Sequence, residues 1–363
     1  MPSPKSKVWP IDPHTSAKHD LLRLYLQAWF PVLGQYSRKV VFIDAFAGPG
    51  VYDDGSPGSP IIALTSLRDH SALERMRNCR FIFVFIESDP ERYAHLKDEI
   101  EQLGKLPANF SVQTYNNTFA EVATEITSAM KDQNQSLAPT LAFLDPFGFS
   151  GVPMSLIADL LGGDKCEVFV TFMADHINRF SNHDRVAHHF TELFGTDRFQ
   201  GVVGVEGMVN LYKEQLESMA HFPFVRDFGL FRKDGHPHYF MIHATRSEVG
   251  VKKMKDAMWK VDPASGQTFS DRYAGQGSLL VGEHVIVEAL RAQLMDRFGG
   301  QVVSIEEVAR FTLLKTDYHP DSHLKRMTLA PMERAGVITV FEPRPGRRRN
   351  TYPPGTQISF SEP

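Results

Sequence analysis

Cysteine is nearly missing from this 363-residue chain, which has only Cys79 and Cys166. Far apart and in no metal-ligand spacing, the two exclude a disulfide framework and a cysteine zinc site, and predict a reducing compartment, the cytoplasm. Long apolar runs are missing too. No stretch approaches the roughly 18 residues of a membrane span, and MPSPKSKVWP lacks the apolar segment of a secretory signal, so no membrane partner is expected. Neither sign of charge dominates: 39 Lys and Arg against 43 Asp and Glu leave a formal net charge of −4. That excludes a polyanion-binding surface spread over the whole molecule and leaves only local basic patches. Internal repeats and low-complexity tracts are absent. His176, His183, His188 and His189 lie in one helical stretch without an HExxH pattern, so they read as surface or core histidines and no metal site is expected.

What is present is a chain long enough for one large domain and a smaller one. Its most informative stretch is VVFIDAFAGPGVYDDGSPG, from Val40 to Gly58. The apolar strand Val40 to Ile43 stops at Asp44, and Gly48 and Gly50 then let the backbone approach a ligand where a Cβ would collide. A helix with Ser59 as N-cap and Pro60 in its first turn follows, which puts the loop at the positive end of a helix dipole. The same residues would also serve as a plain Gly-Pro turn between strand and helix.

Further along, the strand Arg80 to Ile86 ends at Glu87, and Asp89-Pro90 opens the next helix. A carboxylate at the end of the second strand suits ribose hydroxyls, so Glu87 is assigned the ribose and Asp89 the N-cap. A third strand near Phe110 to Thr114 leads to Asn116 and Asn117; a fourth, Thr140 to Leu144, ends in Asp145-Pro146-Phe147-Gly148; a fifth is Cys166 to Phe172. Strand ends of an open parallel sheet converge on one crevice. The expected fold is therefore α/β, a doubly wound, mostly parallel Rossmann-like sheet, here spanning 37–265, with Asp44, Glu87, Asn117 and Asp145 gathered at one edge. A helical insert is expected over about 174–222, and Phe228 to Phe231 with Tyr239 to Ala244 form a closing hairpin around Lys233-Asp234-Gly235.

The N-terminal segment, 1–36, carries an amphipathic helix over Thr15 to Leu33 that packs on this core. Its first turn holds Lys18 and His19 on the rim of the apolar stripe, where they either meet solvent or face the site. The set HT..KH, YLQAW, FIDAFAGPG.Y..G.PGSP, FIESDPER and FLDPFG resembles the three-Cys-motif partner proteins of bacteria and their mobile elements, along essentially the whole chain. The resemblance implies a class I methyltransferase-like domain using S-adenosyl-L-methionine, and a cytoplasmic radical-SAM-like partner that itself carries the three cysteines. A more distant likeness, to ribosomal RNA adenine-N6 methyltransferases, rests on Lys18-His19, on DAFAGPGVY from Asp44 to Tyr52 and on Asp145-Pro146-Phe147 in place of DPPY. It implies cofactor contacts by Lys18, His19, Asp44, Gly48 and Gly50, beside the Glu87 and Asn117 assigned from their strand ends, and acceptor contacts by Asp145, Pro146 and Phe147. Phe147 arrives one residue early, which departs from the amino-group-binding pattern.

Asp262-Pro263-Ala264-Ser265-Gly266 starts a linker, 266–282, and residues 283–363 read as helix, helix, helix and a two-strand ribbon, a winged-helix layout. Lys325 and Arg326 on the third helix, and Arg347, Arg348 and Arg349 at the wing tip, suit phosphates on either side of a groove, or alternatively a docking protein. Pro331 should kink the third helix. The chain is expected to be a methyltransferase acting on nucleic acid. A cofactor-binding scaffold that delivers substrate to its partner, and a DNA-binding regulator, are the rival readings.

Overall fold

The computed structural model describes residues 8–148, 150–173, 177, 187–270, 283–341 and 348–362. Five strands build the parallel part of one sheet: β1 (Lys39–Asp44), β2 (Arg80–Ile86), β3 (Phe110–Tyr115), β4 (Thr140–Leu144) and β5 (Cys166–Phe172). The central strands are buried almost throughout, which is why their sequences are continuously apolar. β6 (Phe224–Phe231) and β7 (Pro237–Thr245) form the expected hairpin, and β8 (Thr268–Ser270) adds a short edge. The order is β3-β2-β1-β4-β5-β7-β6-β8, with β7 antiparallel to its neighbours. This is the doubly wound order of a class I methyltransferase-like fold, reversing between β1 and β4. Helices α2 (Ser59–Arg68), α3 (Pro90–Gln102), α4 (Phe119–Asp132) and α5 (Met154–Leu160) make the crossovers, and α6 (Ala187–Phe194) and α7 (Gly204–Ser218) stand in the inserted region. His176 and His183 lie outside the described residues; among the described ones no group of side chains could hold a metal ion. Both cysteines are free and buried, and burial pushes the Cys79 thiol up to about 11. No helix among the described residues is long and apolar enough to cross a membrane.

The first helix, α1 (Pro13–Gly34), begins two residues before the expected Thr15, because Asp12 caps it by accepting from Thr15 N at 2.7 Å. Leu21, Leu22, Tyr25, Leu26, Trp29 and Phe30 are buried, an unusually wide apolar face. A polar pin crosses it. The Tyr25 hydroxyl donates to the Glu167 carboxylate of β5, which also bonds His243 Nε2 of β7 at 3.0 Å. Burial holds the Tyr25 hydroxyl well above its ordinary range, with the adjacent Glu167 acting in the same direction. The pin fixes the helix along the sheet, and with it the position of the first turn that carries Lys18 and His19.

The chain divides into two compact units, Met1–Gly250 with Thr268–Ala274, and Val251–Gln267 with Gly275–Pro363. The division differs from the linker expected at Asp262–Gly266. That segment is an ordered turn: the Asp262 side chain accepts from Ala264 N and Ser265 Oγ, and Gly266, at φ +68°, lies where a Cβ would strike Trp259. The reason for the shift lies in α8 (Glu248–Val261). Its Lys255 is buried, and the ammonium donates to Thr312 O at 3.0 Å, Thr316 O at 2.7 Å and Tyr318 O at 2.9 Å, capping the C-terminus of α10 (Ile305–Lys315). Trp259 Nε1 adds a bond to Asp317 O at 2.9 Å. Periodicity predicts such a helix but not the body it serves.

The second unit also holds α9 (Glu283–Phe298), β9 (Val302–Ser304), α11 (Ala330–Arg334), β10 (Ile338–Phe341) and β11 (Gln357–Phe360). Its strands pair in the order β10-β11-β9, so a third strand joins the expected ribbon. The Ser304–Glu307 capping box is present. The expected third α-helix is instead a π-helix over Pro320–Leu329 running into α11. Pro331 explains it: without an N–H it cannot close an α-turn, and Ala330 N reaches back five residues to Lys325 O.

Candidate functional site

Parallel pairing brings the strand ends together. Asp44 is in register with Phe85 of β2 and Phe143 of β4, so Glu87 and Asp145 each lie two residues beyond it at the sheet's reversal point. The glycine loop then hugs this edge: Ala45 N donates to Phe143 O at 3.0 Å and Ala47 N to Ile86 O at 2.9 Å. Gly48 and Gly50 take φ of +63° and +90°, the left-handed region closed to most side chains. Gly50 has a second reason to be glycine, since a Cβ would press Leu96 and Glu99 of α3 at 3.2 and 3.3 Å. At Gly48 a Cβ would meet only Trp9, at 3.9 Å.

Glu87, to which the sequence assigned a ribose, is bonded within the chain itself. It is buried, and its carboxylate accepts from Gly48 N at 2.9 Å and Asp89 N at 2.8 Å, so it pins the glycine loop to the end of β2. Burial raises its pKa, opposed by the Asp89 amide, the Arg92 guanidinium and the Gly48 amide. Asp89 is the N-cap of α3, as expected. Asn116 ties strand ends by donating to Glu87 O at 2.9 Å, while Asn117 lines a cavity of about 390 Å³ with Glu87, Phe46, Arg92, Pro146 and Phe147. Ser59 is not the N-cap of α2; Gly58 holds that place, with a bond from its N to Gly50 O at 2.7 Å. The Ser59 side chain turns instead to Asp44.

Asp44 is fully buried, with Oδ1 accepting from Phe46 N at 3.3 Å and Oδ2 without a hydrogen-bond partner among the described residues. Burial pushes its carboxyl up to about 7, against the opposing pull of Ser59 and the Phe46 amide. An acid whose folded value exceeds its unfolded one stabilises the fold fully below the unfolded value, and that contribution is lost as pH rises through about 7.

On the other side of Phe147 lies a smaller cavity lined by Lys18, His19, Gly48, Gly50, Tyr52 and Asp145. Lys18 and His19 are buried, so the solvated reading of that first turn is wrong. The Lys18 ammonium forms an ion pair with Asp145 Oδ2. Desolvation, aided by Lys18, lowers His19 to about 3, so the imidazole is neutral at ordinary pH, and its Nδ1 has no partner among the described residues. Sequence reasoning missed two residues here. The Arg92 guanidinium lies 5.2 Å from the Trp9 ring and 5.6 Å from the Phe147 ring, and Trp9 packs edge-on against Phe147 at 5.6 Å and Tyr52 at 5.9 Å. Neither residue has a local signal: Trp9 is isolated before the helix, and Arg92 looks like any solvated residue of α3.

The nucleic-acid residues expected in the C-terminal unit are placed unevenly. Lys325 Nζ is bound to Tyr352 O at 3.1 Å, while Arg326, Arg348 and Arg349 are exposed and Arg347 lies outside the described residues.

No protein-family model and no curated protein matches the chain. Among solved structures it is similar to Trm1 from Pyrococcus horikoshii in complex with S-adenosyl-L-methionine, at 11% identity and TM-score 0.39, over 100% of this chain and 94% of that one. Trm5b from Pyrococcus abyssi gives 11% and 0.30 over 66% and 50%, and a human methyltransferase 10 domain containing protein 13% and 0.30 over 62% and 82%. At such values the chemistry of the site has to be argued from its own residues.

Proposed function

We propose that this chain binds S-adenosyl-L-methionine and transfers its methyl group to a nucleic acid. The observation that carries the reading is the gathering of Asp44, Gly48, Gly50, Glu87 and Asp145 at the reversal point of the sheet, with Glu87 lining one cavity, Gly48, Gly50 and Asp145 a second, Phe147 shared by both, and Asp44 buried. The residues fit the group. Among the described residues Asp44 Oδ2 is a buried acceptor with no donor, suited to an ammonium; Glu87 and Asn117 line the larger cavity and suit a ribose and an adenine. When bound, the cofactor supplies an electrophilic methyl on a sulfonium that leaves as a neutral thioether. The chain's own part is placement and proton handling. Asp145 would accept a hydrogen bond from an acceptor N–H, with Lys18 fixing its carboxylate. Neutral His19 adds no competing positive charge, and Phe147 with Trp9 keeps water from the reacting atoms. Incubation with labelled S-adenosylmethionine and total nucleic acid tests the reading; label that stays in solution with every fraction would overturn it.

The Asp44 carboxyl gives a sharper check. Its raised value leaves part of it protonated at neutral pH in the free protein, and a bound ammonium would ionise it. Calorimetry in buffers of differing ionisation heat should record proton release on binding at pH 7 that is absent in Asp44→Asn. Equal heats in all buffers at pH 7 would remove Asp44 from the binding site.

One observation favours a second reading, a substrate-delivery scaffold for a radical-SAM-like three-cysteine partner: Asp145 is already paired with Lys18. In either reading the C-terminal unit, taken as a winged helix, contacts phosphates through Arg348 and Arg349. Changing both to Ala should lower the slope of log affinity against log salt by roughly 1.5. An unchanged slope with lost capture of the three-cysteine protein would make this a protein-docking surface.

A further inference from the structure

The N-terminal edge of the large sheet, opposite the crevice, carries a cluster of cations. Lys39 and Arg80 are register partners at the starts of β1 and β2, and Arg80 N donates to Arg38 O at 2.9 Å. The turn over Leu73–Met76 packs beside them, since a Cβ on Gly34, at the end of α1, would lie 2.7 Å from Met76 Sδ and from Phe81. That turn brings Arg75 and Arg77. Tyr36, 85% exposed, stands next to Arg38. Within the two segments that build this edge, 34–43 and 70–86, Glu74 is the only acidic residue against five cations.

These charges are also uncompensated. Arg38, Lys39, Arg75 and Arg77 have no side-chain hydrogen bond or ion pair among the described residues, and Arg80 reaches only Ser111 Oγ, at 3.3 Å. Elsewhere on the same unit exposed cations sit beside carboxylates: Arg68 with Asp69, Lys131 with Asp159, Arg198 with Glu214. Crowding like charges without counter-charges costs self-repulsion, and a chain with net charge −4 has carboxylates enough to avoid it. An unpaired cationic edge with one exposed aromatic matches the two needs of a single-stranded nucleic acid, phosphate neutralisation and a face on which a base can stack.

We propose that Tyr36, Arg38, Lys39, Arg75, Arg77 and Arg80 form an anchoring surface for single-stranded nucleic acid, separate from the crevice. β1 runs from Lys39 to Asp44, so the two sites are roughly 17 Å apart along the strand. A strand must therefore wrap the edge of the sheet to touch both, which selects a polymer over a mononucleotide. The inference shares only the substrate class with the proposed methyl transfer, and anchoring is read without cofactor.

The test is fluorescence anisotropy of a labelled single-stranded RNA of about 16 nucleotides on the full chain, titrated across salt. Lys39→Ala, Arg75→Ala and Arg77→Ala together should lower the salt slope by about 2, at roughly 0.7 per lost phosphate contact. Tyr36→Ala should weaken binding roughly 5- to 150-fold and leave the slope unchanged. Unfolding midpoints should stay put, because none of these side chains has a partner to lose. Unchanged slope and affinity in both variants would overturn the anchor, as would unchanged RNA binding alongside lost capture of an acidic protein. Calorimetry with S-adenosylmethionine on the same variants reads the crevice separately: normal cofactor binding with an unaltered salt slope would sink the anchor and leave the proposed function standing.

Discussion

Asp145→Ala is expected to lower methyl transfer by at least about 100-fold, the order seen when one preorganised polar group is removed from a reacting centre. S-adenosylmethionine affinity should stay within a few-fold, because Asp145 lines the smaller cavity and not the one that holds Glu87 and Asn117. The variant also strands the Lys18 ammonium, which is buried beside Tyr239 with its carboxylate gone. A lost partner for a buried charge destabilises, so the unfolding midpoint should fall as well. Asp145→Asn separates the two effects by keeping the shape and one acceptor oxygen. Label transfer measured beside calorimetric affinity decides the matter. Full turnover by Asp145→Ala, or cellular function that survives it but fails when the three-cysteine partner is removed, would end the case for catalysis and leave the scaffold.

Glu87→Ala should have the largest effect on cofactor binding. Losing a carboxylate that takes hydrogen bonds from both ribose hydroxyls costs on the order of 1–3 kcal/mol, a roughly 5- to 150-fold rise in Kd. The structure adds a second loss, because Gly48 N and Asp89 N would both be left without their acceptor. The glycine loop should loosen, and the thermal midpoint should drop even without ligand. pH provides an internal check. Glu87 titrates above the usual carboxylate range because it is buried, and hydroxyls donate best to its ionised form. Wild-type affinity should therefore fall more steeply as pH is lowered through that raised value than the affinity of Glu87→Gln, which keeps only the dependence contributed by Asp44. Affinity and stability both unaltered in Glu87→Ala would remove the carboxylate from the site and the loop alike.

Much of this protein is determined by local sequence. Continuous apolar runs require strands covered on both faces, and the first four strands lead into polar residues, so Asp44, Glu87, Asn117 and Asp145 were legible as one edge before any contact was known. The glycine loop at Gly48 and Gly50 and the Asp89 cap were legible for the same reason: each depends on residues within a few positions of one another. Tertiary structure decided whatever depends on long-range partners. Lys18 looked like a rim residue until the pin from Tyr25 to Glu167, 142 positions away, set α1 against the sheet and brought its ammonium to Asp145. Ser59 could have capped a helix but faces a buried carboxyl, and α8 belongs with the C-terminal unit because Lys255 finds three carbonyls there. Burial made the remaining difference. Whether a carboxyl titrates near 4 or near 7 depends on how much water surrounds it, and for Asp44 that is set by a loop, a helix and a neighbouring strand that no local pattern names.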